Sequence, residues 1–253
     1  MATPRLITIT FSHYCEKARW ALERRQIPFV EDGHLPLFHY LPLRRAGGRR
    51  TVPALLTGDG RLIGDSSEIL AWADAQPAPG PALYPEGVAD EVRALEERFD
   101  RDLGPATRRW AYGHVLPKPA LFRALAEPRS PRWEYRVLPL VSPLARALMR
   151  KGMRIDAAGV ERSRGKIAAV FADVAERVAD GRRYLCGDTL TAADITFAAL
   201  AAPAVIPPEY GVPFPPPERF PAAAQAELAD YRAHPAGAFA MRMFREERWP
   251  AAS

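Results

Sequence analysis

The chain has only two cysteines in 253 residues, Cys15 and Cys186, too few for a disulfide framework or a cysteine-rich zinc site. No apolar run approaches the length of about eighteen residues that a bilayer-spanning helix needs. Histidine is sparse: five, at positions 13, 34, 39, 114 and 234. His34 and His39 lie close together, but no H-E-x-x-H or C-x-x-C companion accompanies them, so no metal is expected. A serine-hydrolase elbow, G-x-S-x-G, is missing. The stretch Gly159–Lys166 has neither P-loop spacing nor a hydroxyl residue after the lysine, where Ile167 stands. Residues 1–5 lead straight into a β-like segment and not into the apolar core of a signal peptide, which predicts a cytoplasmic protein.

What is present is the composition of a globular protein, with 48% hydrophobic and 26% charged residues. The length allows one large domain or two ordinary ones. The net charge of +5 is unevenly spread, because residues 101–166 hold fifteen Lys and Arg against five Asp and Glu. No RNA- or DNA-binding motif goes with this surplus, so nucleic acid is not an expected partner. It reads either as solvated helix faces or as a positive field that draws an anionic cosubstrate.

Residues 6–11 alternate and are β-branched, which predicts a strand. A helix is expected over 15–25, stopped by Pro28, with a second short strand at 27–30. Such a βαβ start implies parallel pairing. Residues 33–50 read as a loop. Thr51–Leu56, the Gly58-Asp59-Gly60 turn and Arg61–Ile63 form a hairpin signature, followed by a helix from Ser66 or Ser67 to about Ala75. The proline-rich 76–81 is a linker. Beyond it the periodic segments are helical: 90–103, 121–126, a basic amphipathic 144–154, 159–179, an apolar 191–202 and 222–231. The proline-heavy 203–221 has no regular expectation. The order predicts an α/β thioredoxin-like domain over 1–76, a linker over 77–84 and an all-α domain over 85–253.

Four segments carry the chemistry and the fold. Ser12-His13-Tyr14-Cys15 lies between a strand and a helix N-terminus, where free N–H groups favour an anion. Val52-Pro53-Ala54-Leu55 opens the hairpin. Asp65-Ser66-Ser67-Glu68-Ile69 starts the next helix. Tyr184–Ile195 contains an N-cap at Thr191, an acid at Asp194 and a hydrophobic staple between Leu190 and Ile195. Together, in this order, they resemble the glutathione S-transferase superfamily, with a serine-type site like that of the theta, delta and zeta classes.

The resemblance implies glutathione as co-substrate, a small electrophile as second substrate, and a homodimer. It places the activating hydroxyl on Ser12, with Cys15 as the alternative if the protein is a thiol-transferase. It implies a cis Val52–Pro53 bond whose backbone pairs with the cysteinyl part of glutathione, and it puts the γ-glutamyl end at Asp65 and Ser66. Arg50, or its neighbour Arg49, is the candidate for the glycyl carboxylate. His13, Tyr14, Arg109, Trp110 and Tyr112 are candidates for the second substrate's pocket, with a packed helix face as the other reading of 108–112. A catalytically silent binding or scaffold protein of the same fold, and membrane-surface attachment through 144–154, remain as alternatives.

Overall fold

The computed structural model describes residues 2–127, 129 and 131–249. It begins with strand β1 (Arg5–Ile9), helix α1 (His13–Arg24) and strand β2 (Val30–His34), then a short helix α2 (Tyr40–Arg45). Strands β3 (Ala54–Leu56) and β4 (Leu62–Ile63) form the hairpin, and helix α3 (Ser66–Asp74) follows. The sheet order is β2-β1-β3-β4, with β1 and β2 parallel and the other pairs antiparallel. Leu6, Leu55 and Ile63 from the sheet bury against Ala18 and Leu22 of α1 and Ile69 and Ala73 of α3. This is the thioredoxin-like arrangement expected.

Two expectations in this half shift. β2 starts at Val30, where the expected strand ended, because Pro28 has no N–H for the ladder. The polar run Glu31-Asp32-Gly33-His34 becomes a strand through its partners: Glu31 Oε1 accepts from Thr8 Oγ1 at 2.7 Å and from Arg19 Nη2 at 2.7 Å. Within the expected loop 33–50, Leu43 buries and seats α2.

The rest is helical: α4 (Ala89–Arg98), a π-helical turn Phe99–Leu103, α5 (Gly104–Val115), α6 (Pro119–Ala126), α7 (Arg132–Gly152), α8 (Ala157–Val178), α9 (Ala192–Val205), α10 (Ala222–Ala233) and α11 (Pro235–Glu247). Every residue of α9 is buried. Its start is held by Asp194, whose carboxylate accepts from the Thr191 amide at 2.8 Å, the Thr191 hydroxyl at 2.8 Å and the Leu185 amide at 2.7 Å. Leu190 and Ile195 are fully buried beside it, as the staple requires.

Helix α7 begins twelve residues before the expected start at 144 and runs through Pro139 and Pro143. The reason is tertiary. Glu134, fully buried, accepts from the Leu35 amide at 2.7 Å and pairs with His34 Nδ1 at 2.5 Å, while Leu138, Ala145 and Met149 bury further along. The outer face keeps Leu140, Leu144 and Leu148 exposed. No helix of the described residues is long and apolar enough to cross a membrane.

One core joins the two halves, since Phe11, Trp20 and Leu70 cluster with Phe99, Leu103, Phe197 and Phe244. Buried polar groups cross the same junction. Lys17 Nζ of α1 sits 2.7 Å from Asp100 Oδ2, 2.9 Å from Glu96 and 2.8 Å from the Ser67 hydroxyl. Glu16, fully buried, lies between Arg19 and Arg248, with Arg248 Nε at 2.6 Å.

Candidate functional site

The register brings three segments to one edge of the sheet. β1 runs toward Ser12. β3 runs back beside it with Ala54 opposite Ile7, so Val52 and Pro53 fall next to the end of β1. β4 reverses again with Ile63 opposite Leu55, so Asp65 and the start of α3 return to the same edge. The N-termini of α1 and α3 both open there, and each adds a partial positive charge.

Ser12 is the N-cap residue of α1 in an extended conformation, and its hydroxyl caps no helix N–H. Cys15 is fully buried, and loss of solvent pushes its thiol up to about 12, against the opposing pull of Arg19. It is held protonated.

His13 follows at the first helical position. Its Nε2 donates to the Gly104 carbonyl at 2.9 Å, and burial lowers its pKa to about 3, so the ring is neutral. Tyr14 donates its hydroxyl to the Asp100 carbonyl at 3.0 Å, and burial raises its pKa above the ordinary phenol value. The acceptors of both side chains belong to the π-helical turn and its junction with α5. There the widened helix leaves carbonyls turned toward α1.

The Val52–Pro53 peptide bond is cis. The Val52 N–H and C=O take part in no backbone hydrogen bond among the described residues, and Val52 is half-buried.

Asp65 is the N-cap of α3. Its Oδ1 accepts from the Ser67 amide at 2.8 Å and the Glu68 amide at 3.4 Å, so one oxygen serves the helix and the other faces solvent at the edge. Ser66 is buried beside it. The Ser67 hydroxyl donates to Asp100 Oδ2 at 2.7 Å, while Asp100 Oδ1 is buried with no hydrogen-bond partner among the described residues. Arg50 is exposed at the end of the α2 loop, and its backbone meets the His39 ring.

A cleft opens beside the start of α1, lined by the residues on either side of Ser12 but not by Ser12 itself. Phe11 and His13 form its wall toward the sheet, and Tyr112, Val115, Leu125, Ile206 and Phe220 are among those that form the wall toward the helices. It is narrow, enclosing about 40 Å³, and Arg108 is its one charged lining residue. Burial pushes the Tyr112 phenol up to about 12, so it stays a proton donor.

Of the candidate pocket residues, His13 and Tyr112 reach this cleft. Arg109 does not: its Nε donates to the Met153 carbonyl at 2.9 Å and its Nη1 to Ser163 at 3.0 Å. Trp110 is fully buried, with its indole N–H donating to Glu227 at 2.6 Å. Tyr14 sits between α1 and the π-helical turn, outside the lining. One residue of helix turns a side chain by about 100°, so Arg108 faces the cleft where Arg109 faces α8. Reading the sequence also missed Lys17, Ser67 and Asp100. A lysine at i+5 from Ser12 on a buried helix face was the one available signal.

Comparison with known proteins gives two family matches: "Glutathione S-transferase, N-terminal domain" over residues 6–81 and "Glutathione S-transferase, C-terminal domain" over residues 157–226. Among curated proteins no sequence matches the chain. Among solved structures, it is similar to a glutathione S-transferase from Methylobacillus flagellatus with glutathione bound. That match has 16% identity and a TM-score of 0.58, covering 97% of this chain and 96% of the other. It is similar to a glutathione transferase of Phanerochaete chrysosporium at 14% identity and a TM-score of 0.65, covering 97% of each chain. A β-etherase of Sphingobium is similar at 20% identity and a TM-score of 0.58, covering 95% of this chain and 99% of the other. The fold, the order of the motifs and both family matches agree: the chain belongs to the glutathione S-transferase superfamily.

Proposed function

We propose that the protein is a glutathione transferase, which holds glutathione as a thiolate at the sheet edge and passes it to an electrophile in the adjoining cleft. The observation that carries this reading is the meeting of Ser12, the cis Val52–Pro53 bond and Asp65–Ser66 at one edge. In this reading Val52 pairs with the cysteinyl backbone. The free oxygen of Asp65 faces the γ-glutamyl ammonium, and Ser66 at the α3 N-terminus takes the carboxylate. Arg50 is the proposed partner of the glycyl carboxylate.

Ser12 is the proposed activator. A free thiol has a pKa of about 8.5, and lowering it by about two units takes roughly 2.7 kcal/mol. A hydroxyl donating to a charged acceptor supplies about 1.5–3 kcal/mol. The N-terminus of α1 adds about 0.3–1 kcal/mol. The two suffice without a general base. Thiol transfer through Cys15 is disfavoured, because that thiol is buried and its pKa lies near 12. Electrophile and solvent meet the sulfur from the cleft lined by His13 and Tyr112. In keeping with this reading, we place the domain junction at residues 77–84, the protein in the cytoplasm, and a twofold homodimer interface near α3.

Isothermal calorimetry with glutathione tests the proposal. Asp65→Ala removes both the cap and the charge, and Asp65→Asn keeps a good cap while losing the charge. Both variants should bind at least tenfold more weakly, a loss of about 1.4 kcal/mol or more. Full affinity in Asp65→Asn would show that the γ-glutamyl group lies elsewhere.

A further inference from the structure

The cleft beside Ser12 has one feature that an apolar second substrate does not explain. Its walls are aromatic and aliphatic, including Phe11, Val115, Leu125, Phe214 and Phe220, yet a guanidinium lines them. Arg108 is half-buried and forms no hydrogen bond or ion pair with any described residue; its guanidinium carbon stands over the Tyr14 ring, 5.8 Å from the ring centre. Its neighbour Arg109, by contrast, is bound to the Met153 carbonyl and the Ser163 hydroxyl.

The other polar groups of the cleft are a neutral His13, whose Nε2 is committed to Gly104, and the Tyr112 phenol. Neither balances a positive charge. An unpaired guanidinium against apolar walls is a fork of donors suited to a carboxylate or similar planar anion, and exclusion of water strengthens that attraction.

We infer that the cleft takes the anionic group of an aromatic electrophile whose ring lies at its open mouth, with Arg108 as the residue that selects the charge. The inference rests on the glutathione-transfer reading for its chemistry. The anion is not part of glutathione on this geometry, since the γ-glutamyl end and the glycyl end are assigned to α3 and the α2 loop. Arg108 lies instead among walls supplied by α5, α6 and residues 203–220. The basic surplus of residues 101–166 adds a long-range field of the same sign, which raises the local concentration of such a substrate.

A pair of near-isosteric probes tests this: 4-chloro-3-nitrobenzoate and its neutral amide, 4-chloro-3-nitrobenzamide. In conjugation the glutathione thiolate attacks the ring carbon bearing chlorine. The C–S bond forms, the C–Cl bond breaks and chloride leaves with the electron pair. Binding of each probe is measured calorimetrically on the free protein and on protein saturated with S-methylglutathione, and kcat/KM is measured with glutathione.

The benzoate should bind at least tenfold more tightly than the benzamide. Arg108→Gln should abolish that preference, leaving benzamide binding and glutathione binding within twofold, and Arg108→Lys should retain part of it. Equal affinity of the two probes in the unaltered protein, or binding of neither, overturns the inference. So does equal loss of both probes in Arg108→Gln. A bound-thiol pKa that rises in Arg108→Gln while the preference survives would assign the guanidinium to the thiolate and likewise overturn it. Failure of glutathione to bind sinks the transferase reading alone, because the comparison on the free protein still decides the role of Arg108.

Discussion

His13 Nε2 lies 2.9 Å from the carbonyl oxygen of Gly104, joining the first turn of α1, next to Ser12, to the start of α5. The bond fixes the tautomer, since a carbonyl only accepts, and leaves Nδ1 as the acceptor nitrogen of a neutral ring. Gly104 also leaves room for Tyr14: a Cβ there would run into the Tyr14 hydroxyl and approach its ring to 2.7 Å. The reactive edge of the sheet is thus seated on the helical half through two side chains and one glycine.

Gly104→Ala should therefore displace Tyr14 and break its bond to the Asp100 carbonyl. Overpacking of this kind costs about 1–3 kcal/mol, which corresponds to a fall in Tm of several degrees for a chain of this size. Differential scanning calorimetry reads it directly. An unchanged Tm would mean that α1 and α5 do not depend on this contact.

Ser12→Ala should leave glutathione affinity within a few-fold but raise the pKa of the bound thiol by roughly one to two units. Conjugation near neutral pH should fall about ten- to a hundredfold and recover in part at alkaline pH. Cys15→Ala should change both quantities far less, because its thiol is protonated and buried. Ultraviolet titration of the bound thiolate separates the two variants, and loss of activity in Cys15→Ala alone would return the chemistry to the cysteine.

His34 is held between two carboxylates, with Nδ1 2.5 Å from Glu134 and Nε2 2.9 Å from Asp32. The Glu134 hydrogen bond leads in raising its pKa above the ordinary histidine value, against the effect of burial. A raised folded-state pKa stabilises the protein below about pH 6.5, and the contribution is lost as pH rises through the folded-state value. The stability gap between the natural chain and His34→Gln, measured by urea unfolding, should be largest near pH 6 and shrink toward pH 9. A gap that widens with pH would reverse this assignment.

Arg248 is buried at the end of α11, with Nε 2.6 Å from Glu16 and Nη1 2.5 Å from Glu23. Arg248→Ala strands the Glu16 carboxylate in the core beside Arg19 alone, at a cost of about 3–5 kcal/mol. The double substitution Glu16→Gln with Arg248→Met should recover much of that loss, since no partnerless charge remains at Glu16. Additive destabilisation in the double variant would show that the pair is not coupled.

The strand–helix–strand start, the hairpin, the α3 start at Asp65 and the capped α9 were legible because each is written in local chemistry. Alternation, a proline, an Asp-Ser pair and a Thr-x-x-Asp cap act within a few residues. The same holds for Ser12, Val52, Pro53, Asp65 and Ser66, which the fold gathers at one edge. Where local chemistry pointed the other way, partners far along the chain won. Glu31 made a strand of a polar run through Arg19, and Glu134 carried α7 across two prolines by docking on His34 and Leu35. The cluster 108–112 was visible as aromatic and cationic, but its rotation about the helix axis was not. Local periodicity does not say which neighbour each face meets, and packing against α8 and α10 turned Arg109 and Trp110 away from the cleft. What the sequence determined by itself is the order of elements and the residues brought to the edge, because hydrogen-bonding and capping preferences are short-ranged. Only the tertiary structure decided that Arg108 faces the cleft and that Lys17 and Asp100 bridge the halves, because burial and charge pairing depend on distance in space and not along the chain.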